Sequence, residues 1–400
     1  MLQVIGVSQA QELSRSIAGG MTRTELLPLS ELVGRVCAQA PLCGGDIPAF
    51  RRSTMDGFAV IAADTFGAGE ASPAELRIAG EIRMGEETKI SLTRGTCAAI
   101  PTGGMMPENA DAVIPVEYTE TDGCGSCLVY RPVSPYGNVM RAGEDVRGGG
   151  ALFPRGKRLT PAAVGVLAAA GADRCLVYEK PRVGILSTGN EVVPVTQPLS
   201  PGKVHDVNTH LLEALCGIFG CETRLYGIVP DNEDALTGAL RSAAEENDLV
   251  LLSGGSSAGE KDLTARVIAS LGEVLAHGIA MKPGKPTVIG RIREKPVFGL
   301  PGNPAACFFV TEIVVRPCIE ALVGASLPRR ETAAVLAGNL SSNHGREEFV
   351  CVSLSDDGSA YPIAGKSGVI SLLNAADGYL HIPRDCEGLP AGSAVRVILF

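Results

Sequence analysis

Short apolar runs alternate with helical patterns between residues 182 and 325. Runs rich in Val, Ile and Leu are typical of buried strands, and they occupy residues 183–186, 224–229, 248–252 and 297–300. Between the first three runs, apolar side chains recur at the spacing of one helix face. We expect Asn208 to cap the first of these helices and Asp231 to open the second. Strands and helices that alternate in this way predict a parallel, doubly wound sheet.

Two other regions carry a strand pattern without long helices. Residues 50–137 predict a β-rich module, with strands near 57–61, 74–82, 97–100, 112–116 and 128–130. Residues 330–400 also return to strands and predict a small barrel or sandwich. The fold class is therefore α/β plus β, with several domains around a central doubly wound sheet.

The remaining segments read as helices and loops. Residues 1–45 show helical patterns at 10–17 and 29–38. Residues 138–172 are rich in loop-forming residues until Thr160-Pro161, which is a helix start signal. We expect these two segments to be helical or to act as linkers.

The composition narrows the function. The net charge of −9, the 4% of aromatic residues and the absence of Trp argue against binding nucleic acid, anionic membranes or sugars. We find no secretory leader pattern and no apolar run near the ~18 residues that span a bilayer, so we expect a cytoplasmic protein. Among the 12 cysteines, only Cys124 and Cys127 have ligand-like spacing. Because a zinc site needs more ligands, a hairpin tip is the favoured interpretation.

The strongest chemical signal follows the third apolar run. Residues 253–259 (SGGSSAG) lie between that predicted strand and a helix predicted over 261–271. A small-residue turn at this position presents free backbone N–H groups to an anion, although it can also be a simple tight connection. Two Pro-Gly turns follow at 282–286 and 300–304. The lysines of the first turn, Lys282 and Lys285, supply cationic donors for a phosphate or another oxyanion.

Polar residues also follow the other strands of the predicted sheet. Residues 187–191 (STGNE) come after the first strand, and Asp231 comes after the second. Sheets of this kind bind ligands outside the carboxyl ends of their strands. Acidic residues beside an anion indicate a bridging cation, most often Mg²⁺. We recognise no histidine pair with metal-ligand spacing and no nucleophile–His–acid triad.

In combination, these motifs resemble the molybdopterin molybdenumtransferase family, which includes bacterial MoeA and the gephyrin E domain. The resemblance covers essentially the whole chain. The matching motifs, in chain order, are residues 53–57 (STMDG), 101–104 (PTGG), 143–145 (GED), 187–191 (STGNE), 253–262 (SGGSSAGEKD), 282–286 (KPGKP) and 300–304 (LPGNP).

The resemblance implies an architecture and a reaction. We expect four domains: residues 1–45 with 138–172, residues 46–137 (β-rich), residues 173–326 (α/β, of the molybdopterin-binding type) and residues 327–400 (barrel-like). The family forms homodimers, with the active site between the α/β domain of one subunit and the β-rich domain of the other. The implied reaction inserts molybdate into adenylylated molybdopterin with Mg²⁺, and releases AMP and molybdenum cofactor. An adenylyltransferase and molybdoenzymes are the implied protein partners.

The resemblance also implies roles for the residues that hold the anions. Ser253, Gly254 and Gly255 would cradle the pterin phosphate through their backbone N–H groups. Lys282 and Lys285 would neutralise phosphate or molybdate charge. Pro301 and Pro304 would shape the loop around the ligand.

A second implied set carries carboxylates that could bind Mg²⁺ or water, or orient the pyrophosphate. Its members are Asp56, Asp145, Glu191, Asp231 and Asp262. Thr102 would offer a hydroxyl group to an oxyanion. The expected catalytic residues are Asp56, Thr102, Glu191, Asp231, Asp262 and Lys282. The expected metal ligands are Asp145, Glu191, Asp231 and Asp262.

Structural alternatives exist for several of these residues. Asp231 fits the N-cap of the helix that follows it, and Asp262 could complement a helix dipole. Asp56 and Asp145 are plausible turn residues. Lys282 could be a solvated surface lysine.

Two departures from the family pattern affect the expected function. Ser256 intervenes where the family usually has Val before a Ser, and Gly278 stands where members often carry a further lysine. The second departure leaves the choice between molybdate and tungstate open. Two other functions are also open. One is a molybdopterin adenylyltransferase, against which the β-rich and C-terminal regions argue, and the other is a non-catalytic molybdopterin-binding or scaffold protein.

Overall fold

The computed structural model describes residues 4–254, 258–363, 365 and 368–400, and of 258–262 the backbone alone. Helix α1 (Val7–Ser16) packs into the core of the central sheet, where Val7 and Ala10 are buried. Strand β1 (Thr24–Pro28) follows. The helix predicted over 29–38 is wrong, because only one 3₁₀ turn forms, at Leu29–Glu31. Gly34 adopts a left-handed conformation (φ +82°) that ends any helix there.

The β-rich module forms one six-stranded sheet whose strand order is β5-β2-β4-β3-β7-β6. Its strands are β2 (Gly57–Val60), β3 (Ala74–Glu81), β4 (Thr96–Ile100), β5 (Ala112–Pro115), β6 (Thr119–Thr121) and β7 (Ser126–Val129). They confirm the five strands predicted for this region. Both faces of the sheet are covered, since Phe58 and Val60 lie in one apolar cluster and Ala59 in another. Cys124 lies in the β6–β7 turn and Cys127 is buried in β7, as expected for a hairpin tip.

A small layer connects this module to the central domain. Helix α2 (Pro161–Ala169) begins where predicted: Thr160 accepts a hydrogen bond from the Ala163 N–H at 3.3 Å, and proline occupies the first turn. Strand β8 (Arg174–Tyr178) then pairs antiparallel with β1. Leu159, Leu167 of α2 and Val177 of β8 are buried together in one apolar cluster.

The central domain contains a six-stranded sheet with the order β10-β9-β11-β14-β13-β12. Its strands are β9 (Arg182–Thr188), β10 (Glu222–Val229), β11 (Leu249–Gly254), β12 (Gly272–His277), β13 (Val288–Ile292) and β14 (Lys295–Leu300). Its helices are α3 (Val207–Ile218), α4 (Glu233–Glu246), α5 (Ala258–Leu271), α6 (Pro304–Val310) and α7 (Arg316–Val323), with a π-helical turn at Thr311–Val315 between the last two.

Four strands of this sheet, β10, β9, β11 and β14, are parallel, as predicted. The sheet is doubly wound, because Leu212 of α3 and Cys307 of α6 pack on one face, and Leu236 of α4 and Val267 of α5 pack on the other. Strands β13 and β12 extend it in the antiparallel sense, which the sequence pattern did not predict.

The C-terminal region is a closed five-stranded barrel. Its strands are β15 (Glu331–Leu336), β16 (Glu347–Leu354), β17 (Ser359–Pro362), β18 (Gly378–Ile382) and β19 (Ala394–Leu399). They pair in the order β16-β17-β15-β19-β18, and β18 pairs again with β16. The interior is apolar, with Leu336, Val352 and Val397 buried. The barrel form of the sequence prediction is therefore confirmed.

Short elements complete the described structure. Helix α8 spans Ser371–Ala375, and 3₁₀ turns lie at Ala62–Thr65 and Val116–Tyr118. Two-residue strands pair Arg52–Ser53 with Val139–Met140, Val192–Val193 with Val204–His205, Leu340–Ser341 with Gly388–Leu389, and Met281–Lys282 with the first two residues of β16. Across the described residues, no helix has the length and apolar character needed to cross a membrane.

Candidate functional site

The carboxyl ends of β9 and β10 meet around Asp231. One carboxylate oxygen of Asp231 accepts a hydrogen bond from the Thr188 hydroxyl, and the other accepts one from the Asn190 N–H at 2.8 Å. The interpretation of Asp231 as a helix cap is wrong, because Asn232 caps α4 by accepting from the Ala235 N–H at 2.8 Å. Asp231 is therefore held across two strands rather than by its own helix.

Glu191 lies in the loop that follows β9, directly after Asn190. Its side chain is exposed, and its backbone carbonyl accepts a hydrogen bond from the Val204 N–H at 2.9 Å. The Asn190 N–H bond to Asp231 ties the start of this loop to the sheet edge. The two predicted carboxylates Glu191 and Asp231 thus belong to the same edge.

At the end of β11 lies a buried polar group that includes Asn208. Its amide nitrogen donates to the Ser253 hydroxyl at 2.7 Å and to the Gly302 carbonyl at 2.8 Å. The prediction that Asn208 caps α3 is wrong. The cap is Asp206, whose carboxylate accepts a hydrogen bond from the Thr209 N–H at 3.1 Å. Asn208 instead joins the end of β11 to the turn before α6.

Asn208 is only 7% exposed, and its carbonyl oxygen has no hydrogen-bond partner among the described residues. A buried polar atom without a partner is costly, and such atoms are enriched at functional sites. The sequence does hold a signal for this residue: Asn208 stands at helical spacing with Leu212 and Leu215, on the face of α3 that packs on the sheet.

Gly254 can only be glycine in this backbone. Its φ is +151°, and a Cβ there would lie 2.2 Å from the Thr188 carbonyl oxygen. Ser253 beside it is 1% exposed. Gly255, which was predicted to bind the pterin phosphate, and Ser256, a departure from the family pattern, lie outside the described residues, and so does the side chain of Asp262. The described part of the turn packs β11 tightly against β9.

A cavity of about 840 Å³ lies between the central domain and the barrel. Its polar and charged lining combines both Pro-Gly turns with the start of β16, and comprises Lys282, Lys285, Asn303, Arg346 and Glu348. Pro301 also lines it, whereas Pro304 opens α6 as its first residue. The structure therefore brings Lys282, Lys285 and Pro301 together around one cavity.

Lys282 is not a free surface lysine. Its ammonium group is 2.7 Å from a carboxylate oxygen of Glu348. The departure at Gly278 has a backbone reason, since this residue has a φ of +109° and a Cβ would lie 3.1 Å from Val4 Cγ2. A lysine at that position would be strained.

The described lining of the cavity includes one cysteine, and its thiol is not activated. Cys351 lines it, and burial raises the pKa of this thiol to about 11. The thiol is therefore protonated at neutral pH and a poor nucleophile. In the part of the chain that the structure describes, no three His, Cys, Asp or Glu side chains are grouped so as to hold a metal ion.

The upstream residues Asp56, Thr102 and Asp145 form a second group. Asp56 accepts a hydrogen bond from the Thr102 N–H at 2.7 Å, so the structure joins these two predicted residues. Asp145 lies in a separate turn, where its N–H donates to the Ile47 carbonyl at 3.0 Å. All three are exposed. Within the described ranges, none of their hydrogen bonds reaches the central sheet.

Known proteins match this chain over most of its length. Family models match residues 5–171 as "MoeA N-terminal region (domain I and II)", residues 184–321 as "Probable molybdopterin binding domain", and residues 333–400 as "MoeA C-terminal region (domain IV)". The molybdopterin molybdenumtransferase of Haemophilus influenzae is 34% identical over 82% of this chain and 80% of its own length. That of Bacillus subtilis is 31% identical over 94% of this chain and 90% of its own length.

A solved structure agrees with these matches. The molybdopterin biosynthesis moeA protein of Pyrococcus horikoshii has a TM-score of 0.89 at 33% identity, with all of both chains covered. The family models cover the β-rich, central and barrel regions in turn. The chain therefore belongs to the MoeA family.

Proposed function

We infer that this chain is a molybdopterin molybdenumtransferase, which inserts molybdate into adenylylated molybdopterin and releases AMP. One observation carries this inference. In a member of the MoeA family, the sheet edge of Asp231 and Ser253 adjoins a cavity whose lining includes Lys282, Lys285 and Arg346. The Pro301–Asn303 turn connects the two, because Gly302 bonds to Asn208 while Pro301 and Asn303 line the cavity.

The cavity suits an anionic substrate with a polar ring system. Among the described lining residues, two lysines and one arginine can each donate to phosphate or to the tetrahedral molybdate dianion. We propose that Ser253, Gly254 and Gly255 bind the pterin phosphate through backbone N–H groups, as small-residue turns after a parallel strand do. Pro301 and Pro304 hold the neighbouring turn rigid.

The carboxylate oxygens at the sheet edge fit Mg²⁺, which prefers oxygen ligands. Each oxygen of Asp231 accepts a single hydrogen bond from the described residues, so lone pairs are left for a cation. We propose that Asp231, Glu191, Asp262 and Asp145 supply its ligands. When bound, Mg²⁺ would neutralise charge on the pyrophosphate.

The residues of the chain then act by positioning and by charge stabilisation. With the Cys351 thiol protonated, we assign no covalent intermediate to the enzyme. Lys282 and Lys285 would stabilise negative charge on the oxyanion. Asp231 would orient the pyrophosphate or an attacking water, and the hydroxyl of Thr102 would donate to an oxyanion.

We further propose that the active protein is a homodimer in which Asp56, Thr102 and Asp145 reach the partner's sheet edge. This proposal gives a function to three exposed residues whose hydrogen bonds, among the described residues, stay within residues 46–145. We propose four domains: residues 1–45 with 138–172, residues 46–137, residues 173–326 and residues 327–400. We also place the protein in the cytoplasm. An adenylyltransferase would supply its substrate and molybdoenzymes would accept its product.

The test is AMP release by the purified protein from adenylylated molybdopterin, with Mg²⁺ and micromolar molybdate. We expect release to require both molybdate and Mg²⁺. Consumption of ATP with unmodified molybdopterin would instead identify an adenylyltransferase. A folded protein that releases no AMP and consumes no ATP would be a binding or scaffold protein. A parallel series with tungstate measures the choice of metal.

A further inference from the structure

The cavity lysine Lys282 has a resident counter-ion. One oxygen of the Glu348 carboxylate lies 2.7 Å from the Lys282 ammonium nitrogen, and the other accepts a hydrogen bond from the Ser342 hydroxyl at 2.8 Å. The Glu348 side chain is 12% exposed, whereas that of Lys282 is 47% exposed. The carboxylate is thus fixed from two sides, while the lysine head remains open to the cavity.

This ion pair joins two domains. Lys282 belongs to the first Pro-Gly turn of the central domain, and Glu348 is the second residue of barrel strand β16. The short strand Met281–Lys282 pairs in parallel with the start of β16, and the Glu347 N–H donates to the Ala280 carbonyl at 3.0 Å. Because the backbone pairing holds the two segments in register, the pair does not depend on a flexible loop.

Glu348 is also the carboxylate that faces the cavity. Among the described lining residues the charged groups are Lys282, Lys285, Arg346 and Glu348, so one negative charge stands among three positive ones. A carboxylate in contact with a lysine weakens the attraction of that lysine for an incoming dianion and repels the dianion itself. A cavity that only attracts anions would bind them more strongly without the Glu348 carboxylate.

We propose that Glu348 is a specificity-determining residue, which competes with oxyanions for Lys282. An oxyanion that uses Lys282 must displace the Glu348 carboxylate or share the ammonium group with it. Simple dianions such as sulfate gain too little binding free energy from Lys282 alone to displace the Glu348 carboxylate. A ligand that also contacts the sheet edge gains more, and it releases the contact between the two domains. This inference rests on the proposed function, in which Lys282 binds the oxyanion.

The test compares Glu348→Gln with the wild-type protein in AMP release. Glutamine keeps the size and the hydrogen bond to Ser342 but removes the charge. We expect the inhibition constant for sulfate to fall about 5- to 30-fold, because the variant lacks one repulsive charge a few ångströms from the anion. The KM for molybdate should fall less, since the substrate complex also has contacts at the sheet edge, and the preference for molybdate over sulfate should therefore narrow. Equal falls of both constants would overturn the proposal. Turnover at saturation should stay within about twofold of wild type, since the chemistry is at the sheet edge.

Three variants serve as controls. Ser342→Ala removes the neighbour on the other carboxylate oxygen and should leave both constants unchanged. Glu348→Asp keeps the charge and should resemble the wild type in sulfate inhibition. Lys282→Ala should raise the KM for molybdate. Melting temperatures are compared to show that all variants fold.

The outcomes separate the inference from the proposed function. If Lys282→Ala raises the KM while Glu348→Gln changes neither constant, Glu348 does not compete and the inference is wrong, although the proposed function stands. A higher KM in Glu348→Gln also overturns it, because Glu348 would then hold Lys282 in place for binding. If Lys282→Ala leaves the KM unchanged, the anion-binding role of Lys282 fails and the inference fails with it.

Discussion

The carboxylates at the edge of the central sheet and those upstream, within residues 46–145, are held in different ways. Asp231, which follows β10, is fixed by donors from Thr188 at the end of β9 and from Asn190 in the loop after it, so its geometry is set by two parallel strands. Asp56 and Asp145 lie in exposed turns, and Asp56 is fixed by one backbone N–H from Thr102. A rigid strand end can position a catalytic group by itself, whereas an exposed turn needs a second surface to complete a site. Asp231 can therefore be tested within one chain, whereas Asp56 and Asp145 must be tested across two subunits.

The largest expected effect comes from the sheet edge. Replacing Asp231 with Asn should lower AMP release about 100-fold, because the amide cannot ligate a cation or carry negative charge as the carboxylate does. Folding should be little affected, since an amide oxygen can still accept from Thr188. Asp234→Asn is the matched control, because Asp234 is exposed in the first turn of α4. Equal activity of the two variants would remove Asp231 from the catalytic set.

The next test asks whether the two groups act across subunits. Asp56→Asn and Asp231→Asn are each expected to be nearly inactive, so they are expressed with different tags and the mixed dimer is purified. If the site combines the sheet edge of one subunit with the β-rich region of the other, one site of the mixed dimer is intact. The mixed dimer should then show about half of the wild-type AMP release. A mixed dimer as inactive as its parents would place both groups in a site within one chain.

The sequence predicted most strands of both regions because their apolar patterns are strong. The four parallel strands and the β-rich strands alternate with clear turn signals. The antiparallel strands β12 and β13 were not predicted, and the β12 sequence GEVLAH has too few apolar residues to indicate a buried strand. The helix predicted over 29–38 failed because a helical pattern says nothing about the left-handed turn at Gly34.

The candidate site was predicted by residue type but not by contact. Asp206 and Asn208 are both good capping residues, and residue type does not say which one caps the helix. The structure answers this, because Asp206 accepts from the Thr209 N–H while Asn208 bonds to Ser253 and Gly302. The sequence also did not predict that Lys282 forms an ion pair with Glu348, because Glu348 belongs to another domain. Local periodicity carries no information on such distant pairs.

The smallest expected effect is at the opposite end of β11, where Asp248 contrasts with Asp231. Asp248 is 7% exposed and binds the Arg23 guanidinium through both oxygens, at 2.9 and 2.6 Å. Burial raises its pKa, but Arg23, the Arg182 N–H and Lys295 together offset this and hold the pKa below the usual 3.8. Asp248→Asn should therefore lower the free energy of unfolding at pH 7 by about 1–3 kcal/mol, with AMP release unchanged.

The pH dependence tests the assignment of this stabilisation to Asp248. Because the folded-state pKa is depressed, the stabilisation is present above the unfolded-state pKa and is lost as the pH falls through the folded-state value. The difference between the wild type and Asp248→Asn in urea unfolding should thus be full at pH 7 and shrink below about pH 4. Asp234→Asn should show no difference at either pH. A difference that does not shrink at all between pH 7 and pH 3 would mean that packing rather than charge explains the loss. A loss of AMP release in Asp248→Asn at pH 7 would contradict the purely structural role of this end of the strand.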